Sequence, residues 1–388
     1  MNYENEMKMK NSLFLGIDEY KAGESLPCRD YDMRRLLVML DSNSANILRS
    51  APKTGKTSLV NVATAPECLD ERNAVAVRFN IPKFHFGDKV LEKQLVAIIN
   101  TMCDKPTYLD LAFEDDGSLW YAAKKLQANY KDKKNFYFIF DDFDNYFTYG
   151  EAARREFAAS LARLANGEVP NKVSDKLQEI MMGESDIPLP QDGTMLLIEP
   201  PKVSLLFVVD NSSYPLLSQL CDYIPNIFKN TLELQPFDVE SAKIAVPLIA
   251  SEPHDNLPPI AVEPAAVEYI VSHFAASGGI VNPGLLRNAV LYIRREAKDF
   301  DTLTLPMVEI SEYFKVSYYD EAMSGIVDDT RRNALLSFAV GEMVVEGESQ
   351  PLPAYRGKAI AQYNVVDDDL DFMESHYVFK SKITDDGR

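Results

Sequence analysis

One stretch of this chain constrains its folding more than any other. A short apolar run, Ala45–Leu48, leads into Ser50-Ala51-Pro52-Lys53-Thr54-Gly55-Lys56-Thr57, and a helical pattern opens near Lys56. A strand that feeds a loop straight into a helix brings unpaired main-chain N–H groups to one spot. The aligned peptide dipoles add partial positive charge there, so the loop is built for an anion. The small residue Gly55 lets the backbone come close to whatever is held.

The spacing fits G-x-x-x-x-G-K-[S/T], the phosphate-binding loop of nucleoside triphosphatases. The nucleotide-binding candidates are therefore Ser50, Ala51, Pro52, Lys53, Thr54, Gly55, Lys56, Thr57 and Ser58. In such a loop main-chain amides wrap the phosphates. Lys56 reaches the β- and γ-phosphates, and the Thr57 hydroxyl ligates Mg²⁺. Ser50 stands where the pattern has its first glycine. That matters only if this residue must hold φ > 0.

A second segment supplies carboxylates. FYFIFDD (136–142) is five apolar residues closed by Asp141 and Asp142, as expected of a central parallel strand. Asp141 can hold the metal opposite Thr57. Asp142 can polarise an attacking water as general base. A solvated acidic turn is the competing reading, and Asp144 reads as a helix N-cap or a surface charge. A further strand, 203–209, ends in Asp210-Asn211-Ser212. Asn211 is the polar residue expected to touch the γ-phosphate or the water there, against a plain turn.

Strand and helix patterns alternate through the first part of the chain. Strands are expected at 45–48, 74–81, 136–142, 203–211 and 230–237. Helices are expected at 88–103, 117–130 and 151–166, with another over Met33, Leu36, Leu37 and Leu40. This predicts an α/β three-layer sandwich with a parallel sheet, the architecture of P-loop nucleoside triphosphatases. The Pro- and Gly-rich segment 183–201 reads as an insert, exposed and of use to a partner if to anything. From about 238 short helices follow, at 239–250, 264–275, 284–297, 306–315 and 331–345. The expected organisation is a flexible 1–12, an ATPase domain 13–237, a helical lid 238–320, and a small C-terminal domain 321–388. A winged helix fits that last part, with a hairpin ending in HYVFKSKI.

Charge and composition narrow the class. The net charge of −19 repels nucleic-acid phosphate, so nucleic acid is not the expected partner. The basic groups Arg29 with Arg34-Arg35, and Arg287 with Arg294-Arg295, are short and read as helix faces or nucleotide-site elements. Asp367-Asp368-Asp369 reads as a solvated loop or a helix start. The four cysteines and four histidines show no metal-ligand spacing. No apolar run reaches the ~18–20 residues of a membrane span. The N-terminus leads into no apolar signal segment, so the chain is read as cytoplasmic.

The order of these pieces resembles the STAND class of signalling ATPases, the AAA-related group with NACHT and NB-ARC proteins, in its bacterial branches. FLGIDEY (14–20) and LPCRDYDMRRLL (26–37) look like the stretch before the family's phosphate loop. Arg29 matches the family's arginine, while Pro27-Cys28 replace its usual Phe-Gly. LELQPFDVESAKIAV (232–246) looks like the entry to the helical subdomain. SGGIVNPGLLRNAV (277–290) is similar to the Gly-x-Pro element, which implies that Pro283 packs near the adenine. The resemblance implies ATP with Mg²⁺, and a switch that couples nucleotide state to oligomerisation or a protein partner, in bacterial signalling or antiphage defence. Two departures stand out: Asp210 where the family often has an arginine, and no repeat array. Two alternatives stay open. One is an ATPase of the origin-recognition type acting on DNA; the other is a nucleotide-binding scaffold that does not hydrolyse.

Overall fold

The computed structural model describes residues 18–84, 90–112, 115–184, 199–200, 202–254, 257–275, 279–315, 323, 325–326, 328–344, 352, 354–375 and 379. Packing divides the chain into two compact units. One holds Tyr20–Pro52 and Lys56–Leu234. The other holds Gln235 onward, together with Asp18-Glu19 and the turn Lys53–Gly55.

The first unit is built on five parallel strands: β1 (Ala45–Ser50), β2 (Ala74–Asn80), β3 (Asn135–Asp141), β4 (Val203–Asp210) and β5 (Thr231–Glu233). Their order across the sheet is β2-β3-β4-β1-β5. Every residue of β4 is buried, as a parallel strand covered on both faces should be. Successive side chains alternate between two cores. Phe136, Phe138, Phe140, Leu205 and Phe207 pack with the helices Leu91–Thr101, Leu119–Asn129 and Glu151–Ala165. Tyr137, Ile139, Leu206 and Val208 pack with α1 (Asp30–Ser42) and α2 (Lys56–Ala63). The expected three layers are therefore present.

Several elements differ from expectation. The fifth strand stops at Glu233; Pro236 has no N–H for a ladder. Phe237-Asp238 instead pairs antiparallel with Ile280-Val281 in the second unit. Short helices at Pro66–Glu71 and Tyr108–Ala112 were not foreseen, nor was Asn171–Met181, whose Val173, Leu177 and Ile180 face inward. The segment 183–201 lies almost wholly outside the described residues, and 1–12 lies wholly outside them.

In the second unit, Val239–Ser251 is capped by Asp238, which accepts from Ser241 N at 2.7 Å. Pro264–Phe274 and Pro283–Glu296 follow. Arg294 is wholly buried. Its guanidinium donates to the main-chain oxygens of Pro258 and Glu252, both at 2.7 Å, and to that of Leu257. Arg287 donates to Glu252 Oε1 at 3.0 Å and to Asp18 O at 2.6 Å. Two of the three arginines in this expected basic group thus act inside the fold.

The C-terminal part is helical at Asp329–Phe338, Arg356–Tyr363 and Asp367–Ser375, around Leu335, Phe338, Ala359, Leu370 and Met373. Arg356–Tyr363 falls where a loop is expected, and Asp367–Ser375 takes the second of the two readings, loop or helix start, of its acidic run. The acidic run opens a helix, where the peptide dipole favours carboxylates. Arg331 holds Asp369, and Arg356 holds Asp367 and Asp371. The expected hairpin lies outside the described residues, Phe379 apart. No helix among the described residues is long and apolar enough to cross a membrane.

One buried cation gives the fold a pH signature. Lys124 is fully buried on Leu119–Asn129. Its ammonium donates to Gln127 Oε1 at 3.1 Å and to the Glu199 main-chain oxygen. Burial pulls its pKa from 10.5 down to about 8. Between those two values the unfolded chain binds more protons, so stability rises with pH across that window. Below pH 8 both states are charged and the burial cost is complete, on the order of 3 kcal/mol. Urea unfolding at pH 7 and pH 9.5 should show this rise in the wild type. In Lys124→Met it should be flattened.

Candidate phosphate and metal site

The site begins with strand register. In the β1–β4 pair, Ser50 lies opposite Asp210. Asn211 N donates to Ser50 O at 2.9 Å and carries the ladder one step further. The neighbouring strand β3 ends in Asp141. Because the strands run parallel, their carboxyl ends gather at one edge of the sheet, the usual place for ligands in such folds.

Ser50 is the last residue of its strand, fully buried, and holds no positive φ. Its backbone therefore asks nothing of glycine. The left-handed positions of the loop are Lys53, at φ 59°, and Gly55, at φ 98°. A Cβ placed on Gly55 would meet nothing within 4 Å, so the backbone angle and not space demands glycine there. Burial lowers the pKa of Lys53. Thr54 is buried within the loop.

Lys56 opens α2, and its ammonium lies 2.6 Å from Asp210 Oδ1 and 3.1 Å from Ser50 Oγ. Ser50 Oγ in turn donates to Ala51 O at 2.7 Å. Thr57 Oγ1 is 3.4 Å from Asp141 Oδ1. Asp141 is buried, and its other oxygen accepts from Arg78 at 2.6 Å. The Asp142 N–H donates to Asp141 Oδ1 at 3.0 Å. Octahedral Mg²⁺ with bonds of ~2.1 Å puts neighbouring ligand atoms about 3 Å apart. The Thr57 hydroxyl and the Asp141 carboxylate are near that spacing, so this donor pair fits Mg²⁺. No group of three or more His, Cys, Asp or Glu among the described residues could hold a metal by itself.

The other candidates are placed as follows. Asp142 is exposed, at φ 49°, between β3 and the turn Phe143–Thr148. Aspartate tolerates that conformation better than most residues. Asp144 is neither a surface charge nor a helix cap: its carboxylate accepts from Asp210 N at 3.1 and 3.2 Å and ties the tip of β4 to the turn after β3. Asn211 is exposed, with Oδ1 3.5 Å from Arg49. The polar group at the end of β4 that meets Lys56 is Asp210. Ser58 is buried and its hydroxyl accepts from Tyr20 N at 3.1 Å, so it anchors the segment before α1. Arg29 is buried and donates to Asp32 at 3.0 Å, and burial lowers its pKa. Cys28 holds φ 58°. Pro283 opens a helix of the second unit, where Asn282 caps the N-terminus. Pro52 is exposed.

Sequence reasoning missed two pairs, Lys56–Asp210 and Arg78–Asp141. Arg78 is a charge in the middle of a buried strand, AVAVRFN, and that exception was the available signal.

Three features decide the architecture: the strand order, the loop that follows β1 into a helix, and the acidic end of β3 two strands away. The first unit has a P-loop nucleoside triphosphatase fold. No protein-family model and no curated protein matches this chain. Solved structures align over most of it at low similarity. The Walker-type ATPase of Pyrococcus abyssi gives a TM-score of 0.49 at 14% identity, covering 93% of both chains. The ADP form of the Aeropyrum pernix ORC2 protein gives 0.45 at 16% identity, covering 93% of this chain and 88% of that one. Cdc6p of Pyrobaculum aerophilum gives 0.46 at 13% identity, covering 96% and 86%.

The loop geometry makes two substitutions unequal. Gly55→Ala should lower stability by about 1–2 kcal/mol through its left-handed backbone alone. Ser50→Gly relieves no such strain and removes an acceptor of Lys56. Urea denaturation of both variants checks the difference in cause.

Proposed function

We propose that this chain binds ATP with Mg²⁺ at Ser50–Thr57 and works as a nucleotide-driven switch of the STAND type. The observation that carries the nucleotide reading is one edge of the sheet holding Lys56, with Thr57 Oγ1 3.4 Å from Asp141 Oδ1. Loop amides and the N-terminus of α2 would hold the phosphates. Lys56 would reach the β- and γ-phosphates, and Thr57 with Asp141 would hold the metal. The metal, when bound, neutralises charge developing on the transferred phosphoryl group. Asp142 would orient and deprotonate the attacking water, and its exposed place beside Asp141 supports that role. The absence of an Asn/Thr-Lys-x-Asp guanine motif favours adenine.

The switch part rests on the STAND-like order of the flanking segments. A γ-phosphate that interacts with only one of two conformations shifts their populations by its differential affinity. Oligomerisation or capture of a protein partner would then follow the nucleotide state. Light scattering with ADP and with a non-hydrolysable ATP analogue reads this directly; equal masses in both would remove the switch. An origin-recognition type of ATPase would use the same loop. Retention on DNA that falls steeply with salt would favour that reading.

The binding reading has a direct test by calorimetry. Lys56→Ala should weaken Mg²⁺-ATP binding by about a hundredfold, the scale of a lost charge-assisted phosphate contact. Unchanged affinity would show that the triphosphate lies elsewhere. Asp142→Asn should abolish turnover while the nucleotide still binds. No turnover in the wild type would leave a binding scaffold.

A further inference from the structure

We propose that Asp210 is a built-in competitor of the triphosphate for Lys56, so that nucleotide affinity is held down by a carboxylate of the chain itself. The inference rests on the reading of Ser50–Thr57 as a triphosphate site and adds to it a residue that tunes that site.

The pair is well made. Asp210 Oδ1 accepts from Lys56 Nζ at 2.6 Å, with side chains 3% and 13% exposed. Ser50 Oγ accepts from the same ammonium at 3.1 Å. Asp210 is fixed from both sides. Its register opposite Ser50 sets its height on the sheet, and its N–H is bound by the Asp144 carboxylate. The backbone that carries this carboxylate is therefore fixed at the end of β4, within reach of Lys56.

A phosphate oxygen and a carboxylate oxygen ask the same thing of an ammonium: a short, charge-assisted hydrogen bond. To reach the β- and γ-phosphates, Lys56 must loosen its bond to Asp210. A buried carboxylate that loses its cation keeps its desolvation cost, and that cost opposes nucleotide binding. Asp144 stands near the same edge and adds a second negative charge there. A neutral side chain at 210 would retain a hydrogen-bonding group at the end of β4 and remove the competition.

The experiment is calorimetric titration of Mg²⁺-ATP into wild type, Asp210→Asn, Lys56→Ala and the double variant. Asp210→Ser serves as a second neutral replacement should the amide variant fold poorly. Asp210→Asn or Asp210→Ser should bind about tenfold or more tightly than wild type, the scale of one charge-pair coupling. In the Lys56→Ala background the same change should have little effect, because the competitor then has nothing to hold. Wild-type binding with equal or weaker affinity in the neutral variants overturns the inference. So does a gain that persists undiminished without Lys56, which would assign it to diffuse charge. If neither wild type nor any variant binds, the reading of the loop fails instead.

Discussion

The structure depends on the parallel pairing of β1 with β4. It sets Ser50 level with Asp210 and carries the chain into α2 at a fixed height above the sheet. From that pairing follow the direction of the loop amides, the reach of Lys56, and its contact with Asp210. β3 lies on the other side of β4 and sets Asp141 within range of Thr57. The site is therefore assembled by main-chain ladders between residues far apart in sequence, with side-chain chemistry added at their ends. Such an arrangement tolerates wide change in sequence as long as the buried strand pattern and the tip residues persist.

Charge is distributed with a bias that the total of −19 hides. Arg294 and Arg287 spend their donors on main-chain oxygens and on Glu252 inside the second unit. Arg78 compensates Asp141, and Lys56 compensates Asp210. Asp141 and Asp210 are thus each met by a cation from a neighbouring element. Such pairs are weak sources of stability, because desolvation offsets much of the attraction. Their effect is to hold functional groups in fixed places.

Much of the sheet was legible because its strands are buried on both faces. Runs such as FYFIFDD and VSLLFVVD leave little choice of conformation. Most main helices were legible from their apolar spacing, with ends within three residues, but 306–315 breaks at Ser311 into two short helices and the α-helix expected over 331–345 ends at Phe338. Shorter elements were not. Pro66–Glu71 buries no residue among those described, and so carries no periodic signal. In the site, the loop and the acidic strand end could be read from residue type and order. What could not be read was which residue at the end of β4 points at Lys56. One residue of register separates Asp210 from Asn211, and pairing decides it. Ser50 looked like a departure only because its backbone angle is invisible in sequence, whereas Cys28 shows the opposite: a non-glycine residue held at φ 58°.

The central claim is that loop amides and Lys56 hold a triphosphate while Thr57 and Asp141 share its metal. Titration of ATP in the presence of Mg²⁺ and in the presence of EDTA tests it most directly, on the wild type and on Thr57→Ala. The account predicts one nucleotide per chain, bound tightly only with the metal, and loss of that metal dependence in the variant. Binding that ignores both the metal and the Thr57 hydroxyl would contradict it.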